Sequence, residues 1–109
     1  MDYQASMERE AAYEPAARSL ILAVNRRMGN EQPLVGQLWV RMRPPTEEEF
    51  ADERLNPRVV RFHRIGNVVK VTTVLPDFVE IECGGQTLMV GLPEFLCTWV
   101  RLVTDDAWG

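Results

Sequence analysis

Two glycine-led turn signals, Gly66-Asn67 and Gly84-Gly85, constrain this chain more than any other feature, because each sits between runs of alternating apolar residues. Placing Gly66-Asn67 at a hairpin tip sets Ile65 opposite Val68, Phe62 opposite Val71 and Val60 opposite Thr73. Placing Gly84-Gly85 at a second tip sets Cys83 opposite Gln86, Ile81 opposite Leu88 and Val79 opposite Val90, with Glu80 and Glu82 on the other side. Residues 58–91 are thus predicted as two consecutive hairpins. A three-residue loop, Pro76 to Phe78, joins them and aligns Val71, Thr73 and Leu75 with Cys83, Ile81 and Val79. A two-residue turn there would carry Lys70 and Thr72 into the core.

Around this centre the period changes twice. Ala17, Leu20, Ile21, Val24 and Met28 recur at helical spacing, which predicts a helix over residues 15–28. Pro15 stands in its first turn, and Gly29 is its C-terminal cap beside Arg26 and Arg27. Residues 34–42, around Trp39, read as a strand. Residues 43–57 hold Pro44, Pro45, Pro57 and an acidic run, and read as a long loop with one helical turn started by Thr46 as cap to Glu49. Leu92 to Phe95 is a short helical turn before a last strand over residues 98–103. The sum is a mainly β, α+β chain: an N-terminal helical segment, residues 1–33, packing on a five-stranded antiparallel small barrel, residues 34–109, with its acidic loop at 43–57.

The order of strands, the long first loop and the helical turn before the last strand resemble barrels of the Src-homology and Tudor kind. The start Val35-Gly36-Gln37-Leu38-Trp39 and the ending Leu92, Phe95, Trp99, Arg101, Leu102, Val103 also resemble small barrel proteins encoded by phages, over about residues 34–103. The phage resemblance implies an accessory or anti-defence protein in the host cytoplasm, an inhibitor that blocks a host complex.

The chemistry inventory is thin. His63, placed by the hairpin register on the outer sheet face beside Lys70, is the only histidine. Cys83 and Cys97 belong to no C-x-x-C pair; they read as two buried thiols, a disulfide between them being the alternative. Nothing supplies a tetrahedral metal set, a calcium loop or a phosphate-binding glycine loop. The expectation is no enzyme, no metal and no cofactor. No apolar run reaches the length of a membrane span and the N-terminus lacks the order of a secretion signal, which predicts a cytoplasmic protein.

Two surfaces remain. Glu47, Glu48, Glu49, Phe50, Asp52 and Glu53 set an aromatic anchor among acids, and with Trp108 near the chain end they predict binding of a protein partner through a basic groove. The alternative is a nucleic-acid-binding face of Arg58, Arg61, His63, Arg64 and Lys70, opposed by the net charge of −4 and by cross-strand pairing of these cations with Glu80 and Glu82. A homodimer through the N-terminal helix is the third reading.

Overall fold

The computed structural model describes the backbone of residues 3–103 and the side chains of residues 15–103. It is an α+β fold in which an N-terminal helix accompanies a five-stranded antiparallel sheet. The elements are α1 (Tyr3–Arg27), β1 (Leu38–Arg41), α2 (Glu47–Leu55), a 3-10 turn (Pro57–Val59), α3 (Val60–His63), β2 (Val68–Val74), β3 (Phe78–Cys83), β4 (Gln86–Gly91), α4 (Leu92–Leu96) and β5 (Trp99–Arg101). The strand order is β4-β3-β2-β1-β5. The predicted barrel is corrected to an open sheet, since β4 and β5 lie at opposite edges and do not pair.

The second hairpin folds as its turn signal predicts, with Cys83, Ile81 and Val79 opposite Gln86, Leu88 and Val90. Gly84 and Gly85 both take positive φ, 58° and 83°, the backbone of a type I′ turn that side chains disfavour. The first predicted hairpin is not formed. Residues 57–63 are helical: Pro57 opens the 3-10 turn, and the Asn56 side chain caps it by accepting from the Arg58 N–H at 3.2 Å. A run as short as Val59 to His63 fits both periods, because Val59 and Phe62 face the core as well at helical spacing as Val60 and Phe62 would in a strand. The partner of β2 on this side is instead the distant β1, with Trp39 opposite Val69 and the Gly66 N–H donating to the Arg41 carbonyl.

The join between β2 and β3 is also corrected. The Leu75 N–H donates to Phe78 C=O across a two-residue Pro76-Asp77 turn, and Val71 faces Ile81 rather than Cys83. A bulge at Thr72, between the pairs Val71–Ile81 and Thr73–Glu80, absorbs the extra residue. The bulge keeps Lys70 opposite Glu82 on the outer face while Val69 and Val71 stay buried. Simple alternation cannot anticipate it.

One face of the sheet carries the core: Trp39, Val69, Val71, Val79, Ile81, Val90 and Trp99, closed by Phe62, Phe95 and Leu96 from α3 and α4. Phe95 lies between the two tryptophans, with ring centroids 4.7 Å from Trp39 and 5.4 Å from Trp99. The predicted strand over residues 34–42 shortens to β1, and residues 98–103 shorten to β5. Cys83 and Cys97 are free thiols, each half-buried.

Helix α1 runs through Pro15 back to Tyr3, because the preceding residues are rich in Ala, Glu, Gln and Met, whose helix propensity outweighs one missing N–H. It ends at Gly29 in the left-handed conformation, where the Asn30 N–H donates to Asn25 C=O at 2.8 Å. Its buried face is rotated from the predicted stripe. Ile21 and Asn25 are buried, whereas Leu20 is 66% exposed and Met28 is exposed. Polar demand sets this rotation: Asn25 Nδ2 donates to both the Leu96 and Trp99 carbonyls at 2.8 Å, and Arg18 reaches Glu94.

Candidate interaction surface

The acidic segment is a helix rather than a loop. Thr46 Oγ1 accepts from the Glu49 N–H and the Glu49 carboxylate accepts from the Thr46 N–H, a complete capping box. Three acids in its first turn add favourable interaction with the helix dipole. The helical period then divides the acidic run into two faces.

Glu49 and Glu53, one turn apart, point inward. Period-2 alternation in β1 and beyond carries Trp39, Arg41 and Arg43 to one side, so two arginines continue the core face where apolar residues end. Arg41 is fully buried, and its five N–H donors all find acceptors. Nη1 and Nη2 grip the two Glu49 oxygens at 2.8 and 2.7 Å. The remaining donors reach the carbonyls of Phe62 at 2.9 Å, Pro44 at 3.3 Å and, from Nε, Arg43 at 2.7 Å. The guanidinium also lies 5.3 Å from the Trp99 ring centroid. Arg43 is buried beside it, with Nη2 2.8 Å from Glu94, and Glu94 is held in turn by both terminal nitrogens of Arg18 at 2.9 and 2.6 Å.

Burial pulls Arg43 below its ordinary value, while Glu49 opposes that shift. For Glu49, burial alone would raise the pKa, but the hydrogen bonds and charge of Arg41 outweigh it and the carboxyl sits below the usual range. Glu94 is also lowered, chiefly by its hydrogen bonds to Arg18. Glu53 completes the inner side: Arg64 grips it at 2.8 and 3.1 Å, and His63 Nδ1 lies 3.2 Å away.

Glu47, Glu48 and Asp52 occupy the outer face and are exposed. Leu55, at the last turn, is 88% exposed, and Phe50 is 43% exposed with the Arg64 guanidinium 5.5 Å from its ring centroid. A shallow groove of about 460 Å³ runs beside this ridge, lined by Phe50, Glu53, Arg54, Pro57 and Val60. The predicted anchor Trp108 lies outside the described residues.

The basic residues are not gathered on a sheet face. His63 is buried in α3 between Glu53 and Glu49, which corrects its predicted place beside Lys70, and Arg64 is paired with Glu53. Arg61 is likewise off the sheet; its Nη1 donates to the Gly84 carbonyl at 2.8 Å. Arg58 is exposed on the 3-10 turn, and Lys70 alone stands on the outer sheet face, opposite Glu82. Cys97 lines a separate shallow groove with Pro15, Arg18, Ser19 and Leu22.

Among the described residues, no group of three or more His, Cys, Asp or Glu side chains could hold a metal ion, and no helix is long and apolar enough to cross a membrane. Arg41 and Arg43, the centre of the network, were not among the candidate residues. Their signal was the spacing Trp39, Arg41, Arg43 on one strand face set against Glu49 and Glu53 on one helix face. Compared with known proteins, the chain matches no family model, no curated protein and no solved structure.

Proposed function

We propose that the protein is a non-enzymatic binding module that docks through the outer face of α2 onto a basic groove of a protein partner. The observation that carries this reading is the division of labour along α2. Glu49 and Glu53 are consumed by the arginines beneath, and Glu47, Glu48 and Asp52 are left in solvent together with Phe50 and Leu55. Exposed carboxylates steer a cationic partner and raise the association rate, while the two apolar side chains supply surface that gains from leaving water. Because the buried arginines fix the helix, the ridge is displayed with little freedom left to lose on binding. In the phage-type reading, the same docking would occupy and so block a basic site of a host complex. The dispersal of Arg58, Arg61, His63, Arg64 and Lys70 favours this acidic surface over a phosphate-binding face.

The test is affinity capture from cell extract, followed by titration of the retained protein against wild type and the Glu47→Lys, Glu48→Lys, Asp52→Lys variant at two salt concentrations. The reading requires binding that weakens with salt and is lost in the charge-reversed variant while its thermal transition is kept. Equal affinity for both forms, or retention of nucleic acid by wild type, would overturn it.

A further inference from the structure

The two edges of the sheet are treated differently. At β5 the edge is covered: the Trp99 carbonyl, which faces away from β1, accepts from Asn25 of α1. At β4 the edge has β3 on one side and no strand on the other; the 3-10 turn Pro57–Val59 comes close to β4 but shares no backbone hydrogen bond with it. The type I′ turn at Gly84-Gly85 makes Cys83 and Gln86 a hydrogen-bonded pair, so Leu88 and Val90 also bond inward to Ile81 and Val79. The alternate residues Thr87, Met89 and Gly91 then aim their N–H groups outward, and no described backbone group reaches the amide of Thr87 or Met89.

Edges of this kind are ordinarily blunted by charge, proline or a bulge, and Gln86–Gly91 carries none of these across its regular register with β3. The geometry points to this edge as the pairing site for a second copy of the chain, β4 lying antiparallel to its twofold mate to give a continuous ten-stranded sheet. The register is fixed by which groups face outward. Met89 opposes Met89 and exchanges two hydrogen bonds with it, and on either side the Gly91 N–H donates to the Thr87 carbonyl, since the Gly91 carbonyl begins α4. Like-with-like pairing normally fails on charge, but β4 has none. The Glu80 side chains, beside Met89 on β3, come to lie about three strand spacings or ~14 Å apart, beyond the screening length in ordinary salt. Met89, 48% exposed on the outer face, meets its own copy across the axis. The five paired residues of each edge, Thr87 to Gly91, bury less than the ~800 Å² per partner of a stable interface, so the dimer is weak and depends on concentration.

The experiment is sedimentation velocity on the whole chain from about 5 to about 500 µM, a range that brackets micromolar self-association. Wild type, Met89→Lys, Met89→Glu and an equimolar mixture of the two variants are compared, each checked for fold by circular dichroism. Wild type should dimerise as concentration rises. Either variant alone should weaken association at least about tenfold, because like charges meet at the axis, and the mixture should restore it. In wild type the amides of Met89 and Gly91 should exchange more slowly at high concentration. A monomer throughout would overturn the inference, as would self-association untouched by Met89→Lys, which places the interface elsewhere. Added extended peptide protecting the same amides in a chain that stays monomeric would overturn it in favour of strand addition by another protein.

Discussion

Arg41 and Glu49 form a two-pronged pair at 2.7 and 2.8 Å that fastens the acidic helix to the strand preceding it in the chain. Arg41 is wholly out of solvent and Glu49 is mostly so, which makes this pair unlike an exposed ion pair in consequence. Removing one partner leaves the other charge buried without its counterion. Glu49→Ala is therefore expected to destabilise the fold by about 3–5 kcal/mol in urea denaturation. Glu48→Ala, one residue away and exposed, should change it by no more than about 0.5 kcal/mol. Equal effects would contradict the two-faced helix.

The lowered Glu49 and Glu94 carboxyls set the direction of acid sensitivity. A carboxyl held below its ordinary 4.5 in the folded state contributes stability that is complete above that value and is lost as pH falls through the depressed folded one. Urea midpoints should stay level down to about pH 5 and fall below pH 4.5, and Glu94→Gln should flatten part of the decline. A midpoint that drops instead between pH 8 and pH 6 would show that other groups dominate.

Asn25 joins α1 to the sheet through two carbonyl acceptors, one of them on the β5 edge. Asn25→Leu should cost about 1–3 kcal/mol, because both buried carbonyls lose their donor. Leu20→Ser, on the exposed side of the same helix, should stay within about 0.5 kcal/mol. The comparison is made by thermal melts, and a larger loss from Leu20→Ser would restore the apolar stripe first expected.

Trp39 and Trp99 are 0% and 2% exposed and both pack against Phe95. In a Trp108→Phe variant, emission should be blue-shifted and resist acrylamide until the protein unfolds. Efficient quenching of the native variant would mean that the aromatic core opens readily.

Gly84-Gly85 determined its hairpin from sequence alone, since two positive φ angles select glycine and a two-residue turn fixes the register of the strands it joins. The Gly29 cap and the Thr46 capping box were legible for the same reason: each depends on residues close in the chain. Residues 58–63 were not, because a segment that short satisfies both periods, and the strand that claims β2 comes from residues 38–41, outside any local window. The bulge at Thr72 hid the β2–β3 register, as one extra residue reverses every later alternation. The buried Arg41 lay furthest from view. Alternation with Trp39 puts it on the inner face, yet its charge reads as a surface cation, and only the tertiary fold brings Glu49, three carbonyls and the Trp99 ring around it, so that an arginine can stand where a core side chain would.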